Sequence, residues 1–264
     1  VSTPYATRIR RLTGAVGGVT ATPTTRVAPG LAVVAVLLQI CYPLVPLNQR
    51  AHVAVIIVAV FAAACVAHAA TTRSPVTAAA VLAVGAGIGL CAELIGVHTG
   101  IPFGRYHYSS ELGVRVWGAP VIVALAWTML AWPSAVVARR LVSGSVVRVL
   151  VGAWAMAAAD LFLDPQLVAA GGWSWSSTTP HLPGIPTIPL TNFAGWLVVS
   201  LVLSAVMQRL AGDGADGCAI ALYLWLWIGW TVAQVCFLDM RGSAAWGFVA
   251  MGCVAVPLLR RILR

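Results

Sequence analysis

From residue 30 onward the chain alternates between long apolar runs and short polar breaks. Eight runs fall at 30–46, 51–70, 76–96, 117–138, 145–163, 193–211, 217–238 and 243–259. Each is near the roughly 20 residues a helix needs to cross the hydrocarbon of a bilayer. The pattern predicts an all-α, polytopic integral membrane helix bundle with about eight transmembrane helices. The first and last runs are short and marked by prolines (Pro29, Pro43, Pro46; Pro257), which leaves six or seven spans open. Residues 1–27, with Arg8, Arg10, Arg11 and Arg26 among Thr, Gly and Pro, read as a mobile cytoplasmic tail. Residues 28–264 then form a single transmembrane domain. The first thirty residues show no cleavable signal pattern.

Composition strengthens this reading. The 264 residues are 60% hydrophobic and only 9% charged, against about 25% charged in an ordinary soluble domain. All sixteen basic residues are arginine. A net charge of +9 would suggest nucleic acid in a soluble protein; here it records topology, since arginine accumulates in cytoplasmic loops. With the N-terminus inside, twelve arginines are cytoplasmic and four (Arg50, Arg105, Arg115, Arg241) are not. The expectation is a multi-pass protein of the cell membrane with both termini cytoplasmic, surrounded by lipid and binding no nucleic acid. The six cysteines (Cys41, Cys65, Cys91, Cys218, Cys236, Cys253) lie inside apolar stretches without CxxC spacing and read as packing residues.

Two outer connections differ from the rest. The first, 97–116, reads VHTGIPFGRYHYSSELGVRV; the second, 164–192, holds prolines at 180, 183, 186 and 189. Proline at every third residue is the spacing of a polyproline-II ribbon, whose plain role is a stiff linker.

Seven acidic residues remain to be assigned. Asp213 and Asp216 lie in a short inner loop and read as solvated; Glu111 balances Arg105 or Arg115. Glu93, Asp160, Asp164 and Asp239 fall at or near the outer ends of apolar runs, where an ionisable group marks a functional site by default. Asp160 and Asp164, in DLFLDP, are four apart and share one helix face. Two carboxyls so close can hold one proton between them, one acting as acid and one as base. The plain alternative is that both anchor the helix end near water or pair with Arg105. Glu93 is a third carboxylate or an interfacial anchor, and His98, Tyr106, His107 and Tyr108 offer donors and aromatic faces. A metal would need three or four ligands, and no HxxxH or HxxE spacing is present. Asn192 precedes an apolar helix, where its commonest role is the N-cap. Trp173, Trp175 and Trp196 flank the polar cluster and can line an apolar pocket or stabilise a cation.

Three strings, ELIGVHTGIPFGRYHYSSELG, GAWAMAAADLFLDPQLVAAGGWSW and IPLTNFAGW, resemble the carotenoid biosynthesis proteins of the CruF type, membrane-bound carotenoid hydratases. The similarity covers about residues 80–210, with the motifs in the family's order. It implies addition of water to the terminal C1–C2 double bond of an acyclic, lycopene-derived carotenoid end group, giving a tertiary alcohol, with no organic cofactor or metal. Such a reaction needs an acid, a base and an environment tolerant of a cation. Residue chemistry then suggests Asp160 as acid, Asp164 as base or water-positioner and Glu93 as third carboxylate. Tyr106, Tyr108, His98, Trp173, Asn192, Trp196 and Arg105 would bind the substrate. Association with other carotenoid enzymes is a further expectation. The rival readings are another carotenoid-modifying membrane protein, such as a cyclase or elongase accessory, or a non-enzymatic carotenoid scaffold or transporter. The second, fourth and sixth runs carry essentially no charge, which argues against ion-coupled transport.

Overall fold

A computed structural model describes residues 23–264. It contains eight helices: α1 (Pro23–Cys41), α2 (Arg50–Thr72), α3 (Pro75–Thr99), α4 (Val121–Leu141), α5 (Ser145–Ala169), α6 (Leu190–Leu210), α7 (Gly217–Cys236) and α8 (Arg241–Leu263). All eight are long and apolar enough to cross a membrane, and the protein is a multi-pass membrane protein. Of the segment read as a tail, residues 23–27 open α1; residues 1–22 lie outside the described residues.

α4 is the central helix, with 83% of its span buried against α2, α3, α5, α6, α7 and α8. Its own proline is accommodated. Pro133 lacks an N–H and so frees the Met129 carbonyl, which receives the Cys65 thiol at 3.6 Å. The same device recurs in α5, where Pro165 frees the Leu161 carbonyl. Ser243 Oγ lies 2.6 Å from that carbonyl and 2.6 Å from Gln234 Oε1, while Gln234 Nε2 donates to the Phe162 carbonyl at 2.8 Å. Side chains of α7 and α8 thus satisfy carbonyls at the break, and α5 continues to Ala169.

One end of the bundle is closed by short turns bearing arginines. Asp216, 5% exposed, accepts from Arg73 Nη2 and Arg140 Nε, both at 2.5 Å. It is a buried counter-charge rather than the solvated residue expected. Asp213, fully exposed, does pair with Arg139 at 3.1 Å, and this guanidinium holds its carboxyl below the usual range. Beneath them Trp132 Nε1 donates to His68 Nδ1 at 3.0 Å. The His68 proton therefore sits on Nε2, facing the Ala215 carbonyl at 3.0 Å.

The opposite end carries the two long connections, which fold into small antiparallel pairs. β1 (Tyr106–Tyr108) pairs with β4 (Trp173–Trp175), β2 (Arg115–Val116) with β3 (Ala119–Pro120), and β5 (His181–Leu182) with β6 (Ile185–Pro189). The proline-rich segment is therefore a hairpin and not a polyproline linker. Pro183 and Gly184 occupy its turn, with Gly184 at φ +79°, as a type II turn requires. Its tip packs on α8 with no room for a side chain: a Cβ on Gly242 would lie within van der Waals overlap of the Gly184 backbone.

Replacing Asp216 with Ala should lower stability by about 3 kcal/mol. This is the low end for breaking a buried ion pair, because Arg73 keeps its bonds to the Ala211 and Gly212 carbonyls. Thermal unfolding in detergent, followed by tryptophan fluorescence, reads the change.

Candidate active site

Three carboxylates meet near the end of the bundle that carries the long connections. Asp160 is 0% exposed, Asp164 3% and Glu93 4%. All three lie deeper in their helices than the ends of the apolar runs indicate, because α3 and α5 continue past them to Thr99 and Ala169. A carboxylate away from water must be given donors or it is costly to bury.

Glu93 receives three. Tyr106 and Tyr108 hydroxyls each donate to Oε2 at 2.6 Å, and Trp127 Nε1 donates to Oε1 at 3.0 Å. Burial, reinforced by the Glu93 carboxylate, raises both tyrosine hydroxyls above their ordinary range, so both stay protonated and donate. Small residues make the approach possible. A Cβ on Gly89 would lie 2.5 Å from the Trp127 ring, and one on Gly96 would lie 2.6 Å from the Tyr106 hydroxyl oxygen. Gly85, Gly89, Glu93 and Gly96 follow one helix face at spacings of three and four. The face is smooth except for its single carboxylate.

Strand alternation decides which loop residues turn inward. In β1, Tyr106 and Tyr108 share one face and sit opposite Trp175 and Trp173. Their rings approach as close pairs, Tyr106 to Trp175 at 5.8 Å and Tyr108 to Trp173 at 5.5 Å. His107 turns the other way and meets Ser174 Oγ at 3.1 Å.

Asp160 and Asp164 are joined by Asn192. Its Nδ2 donates to Asp164 Oδ2 at 2.5 Å and to Asp160 Oδ2 at 3.2 Å. Asn192 is the third residue of α6, whose cap position is Pro189, so its side chain is free to bridge the acids rather than cap the helix. Asp160 Oδ1 is buried without a partner. The two carboxyls differ in access: Asp164 lines a cavity of about 40 Å³, and Asp160 lies behind it, outside the lining. Glu93, Tyr106, Tyr108, Trp173, Trp175, Asn192 and Trp196 line the same cavity. Trp196 stacks on Trp127 at 3.9 Å between ring centres and 21° between planes.

Two residues named from the sequence stand apart. His98 is exposed and bonds only the Leu94 carbonyl; five residues beyond Glu93, it points about 140° away around the helix. Arg105 is exposed and does not line the cavity, because its neighbour Tyr106 occupies the inward register of the strand. It pairs with neither aspartate. Two residues join the site without having been named from the sequence, Trp127 and Phe103; Trp175, read there as able to line an apolar pocket, does line the cavity. Trp127 sits in an unbroken apolar run and has no local signal of its own; the glycines of α3 opposite it are the only hint. Asp239 pairs at 3.5 Å with Arg241, both well exposed. Among the described residues no three His, Cys, Asp or Glu side chains converge as metal ligands.

A family model described as "carotenoid biosynthesis protein" matches residues 52–256. The chain belongs to this carotenoid biosynthesis family. The match includes every residue of the cavity described above. The chain is also similar to the bisanhydrobacterioruberin hydratase of Haloarcula japonica, with 32% identity over 114 residues. That alignment covers 40% of this chain and 36% of the relative's length, so only about a third of the hydratase is matched. No solved structure matches. For this family member, replacing Gly89 with Val should push Trp127 off Glu93 and destabilise the fold by about 1–3 kcal/mol, the range for overpacking a core. Near-ultraviolet circular dichroism should lose the signal of the Trp127–Trp196 stack, and the melting temperature should fall.

Proposed function

We propose that the protein is a carotenoid hydratase, adding water across the terminal C1–C2 double bond of an acyclic carotenoid end group. The observation that carries the reading is a buried pair of aspartates held by one asparagine, with one member facing a cavity walled by indole and phenol rings. Membership of the carotenoid biosynthesis family and the partial likeness to a hydratase support it.

Hydration of a trisubstituted alkene begins with a proton delivered to C2, which leaves a tertiary cation at C1. Asp164 faces the cavity and is the acid in this scheme; Asp160, behind it, is held beside it by their common donor, Asn192 Nδ2. This exchanges the roles suggested by sequence, because of the two acids only Asp164 lines the cavity. Ring faces of Trp173, Trp175 and Trp196 stabilise the developing cation, and the Glu93 carboxylate adds a fixed opposite charge. Water then bonds to C1 through its oxygen. The oxonium so formed returns a proton to the Asp164 carboxylate, giving the alcohol and restoring the acid. One water is consumed and nothing else changes. In this reading both termini are cytoplasmic and the cavity lies toward the outer leaflet, following the arginine distribution.

In a lycopene- or γ-carotene-producing host, the wild-type gene should yield a pigment heavier by one water. Asp164→Asn should reduce it at least about a hundredfold, the minimum expected of general acid catalysis, and Asp160→Asn should reduce it less. If Asp164→Asn inserts normally and product is unchanged, the assignment fails. If the wild type alters no pigment, a non-enzymatic carotenoid scaffold becomes the better reading.

A further inference from the structure

The cavity beside Asp164 is small: about 40 Å³ admits roughly two or three water molecules and no terpenoid end group. A second cavity of about 230 Å³ lies against it, between α1, α2, α5 and α7. The two share four wall residues, Ala54 and Val58 of α2 and Leu163 and Leu167 of α5. Asp164 lines only the smaller cavity, so these four residues are the partition between the larger space and the acid. Its rim includes Ile40, Ile228, Val232 and Phe237, all exposed on the lateral surface, which in a bilayer faces lipid.

This second cavity is apolar but carries two buried groups with no partner. Gln39, 8% exposed, accepts Trp225 Nε1 at 2.7 Å through Oε1, which leaves its Nε2 unbonded. The Tyr42 hydroxyl, on a residue 2% exposed, is also unbonded. Gln166 lines the same space and lies beside the Tyr42 hydroxyl, but not in the geometry of a full hydrogen bond, and it leaves Gln39 Nε2 unbonded. Buried donors without acceptors are rare and unfavourable, and an oxygen atom on an occupant would complete both. The Trp225 indole lies flat over Gly229, where a Cβ would come within 2.8 Å of the ring. That glycine keeps the indole beside its own helix and the cavity open.

We propose that the second cavity is the channel for the polyene chain. The chain enters from lipid between α1 and α7, its reacting end passes between the shared walls to Asp164, and Gln39 and Tyr42 receive a hydroxyl or carbonyl oxygen carried farther along it. The small cavity then serves as the water chamber. This rests on the hydratase reading, and binding separates the two claims.

The purified full-length protein in lipid nanodiscs is titrated with lycopene and with a monohydroxylated lycopene, and bound pigment is measured by absorbance after separation. Wild type should bind both, the hydroxylated form about tenfold more tightly, the worth of one or two net hydrogen bonds. Asp164→Asn should bind both unchanged while forming little hydrated product, so lost hydration does not bear on the channel. Gly229→Leu, which drives Trp225 into the space, should weaken both at least tenfold. Ile228→Trp, which plugs the mouth from the lipid-facing side without disturbing the core, should do the same. The double variant Gln39→Leu, Tyr42→Phe should keep lycopene affinity and lose the preference for the hydroxylated form. Wild-type failure to bind either pigment, or full binding by the Ile228→Trp variant, overturns the channel. An absent preference in the wild type, or one that survives the double variant, overturns the oxygen contact.

Discussion

A carboxylate inside a helix bundle is tolerable only when donors surround it, and Glu93 draws its donors from two parts of the structure. Trp127 belongs to the central helix, and Tyr106 and Tyr108 to the strand that covers the end of the bundle. The two tyrosines cannot reach Glu93 unless β1 is paired and its register fixed, and that pairing comes from β4 in the connection after α5. Burial of one acid therefore ties two separate connections to the membrane-spanning core. The same tie builds the aromatic wall, since the register that turns Tyr106 and Tyr108 inward also brings Trp175 and Trp173 beside them. Without the carboxylate the strand would have no polar reason to lie down on α3.

The spans were legible because hydrocarbon imposes its thickness on the sequence and arginines punctuate it. What the apolar pattern could not resolve is where a helix continues through polar side chains. Hydropathy ends a run just before Asp164, but a helical backbone is indifferent to the side chain it carries so long as its own hydrogen bonds are made. At Pro165 they are completed from α7 and α8, and no local signal announces that. The prolines from 180 to 189 misled for a related reason: periodicity suggested a ribbon, whereas Pro183–Gly184 alone decides the chain reversal.

Of the candidate site, the acids, Asn192 and the flanking aromatics could be read from residue type and proximity to an apolar boundary. The distinction between Tyr106 and Arg105, neighbours in sequence and opposite in exposure, could not, because strand register is a property of the pair. His98 shows the corresponding limit for helices, since a few residues beyond Glu93 is close along the chain and distant around the axis. Asp216 was taken as solvated from its small, polar neighbours and proved to be the buried anchor of Arg73 and Arg140. Burial of that kind depends on which segments converge, and its two partners come from the turn after α2 and the last turn of α4.

The break in α5 has a further bearing. Ser243 and Gln234 brace the stretch of backbone that lies between the two aspartates, although neither side chain touches them. The separation of the acids is thus partly set by helices on the far side of the bundle, α8 acting through the Leu161 carbonyl and α7 through that of Phe162. The backbone between the most guarded pair of residues is therefore held as much by the far side of the bundle as by its own helix.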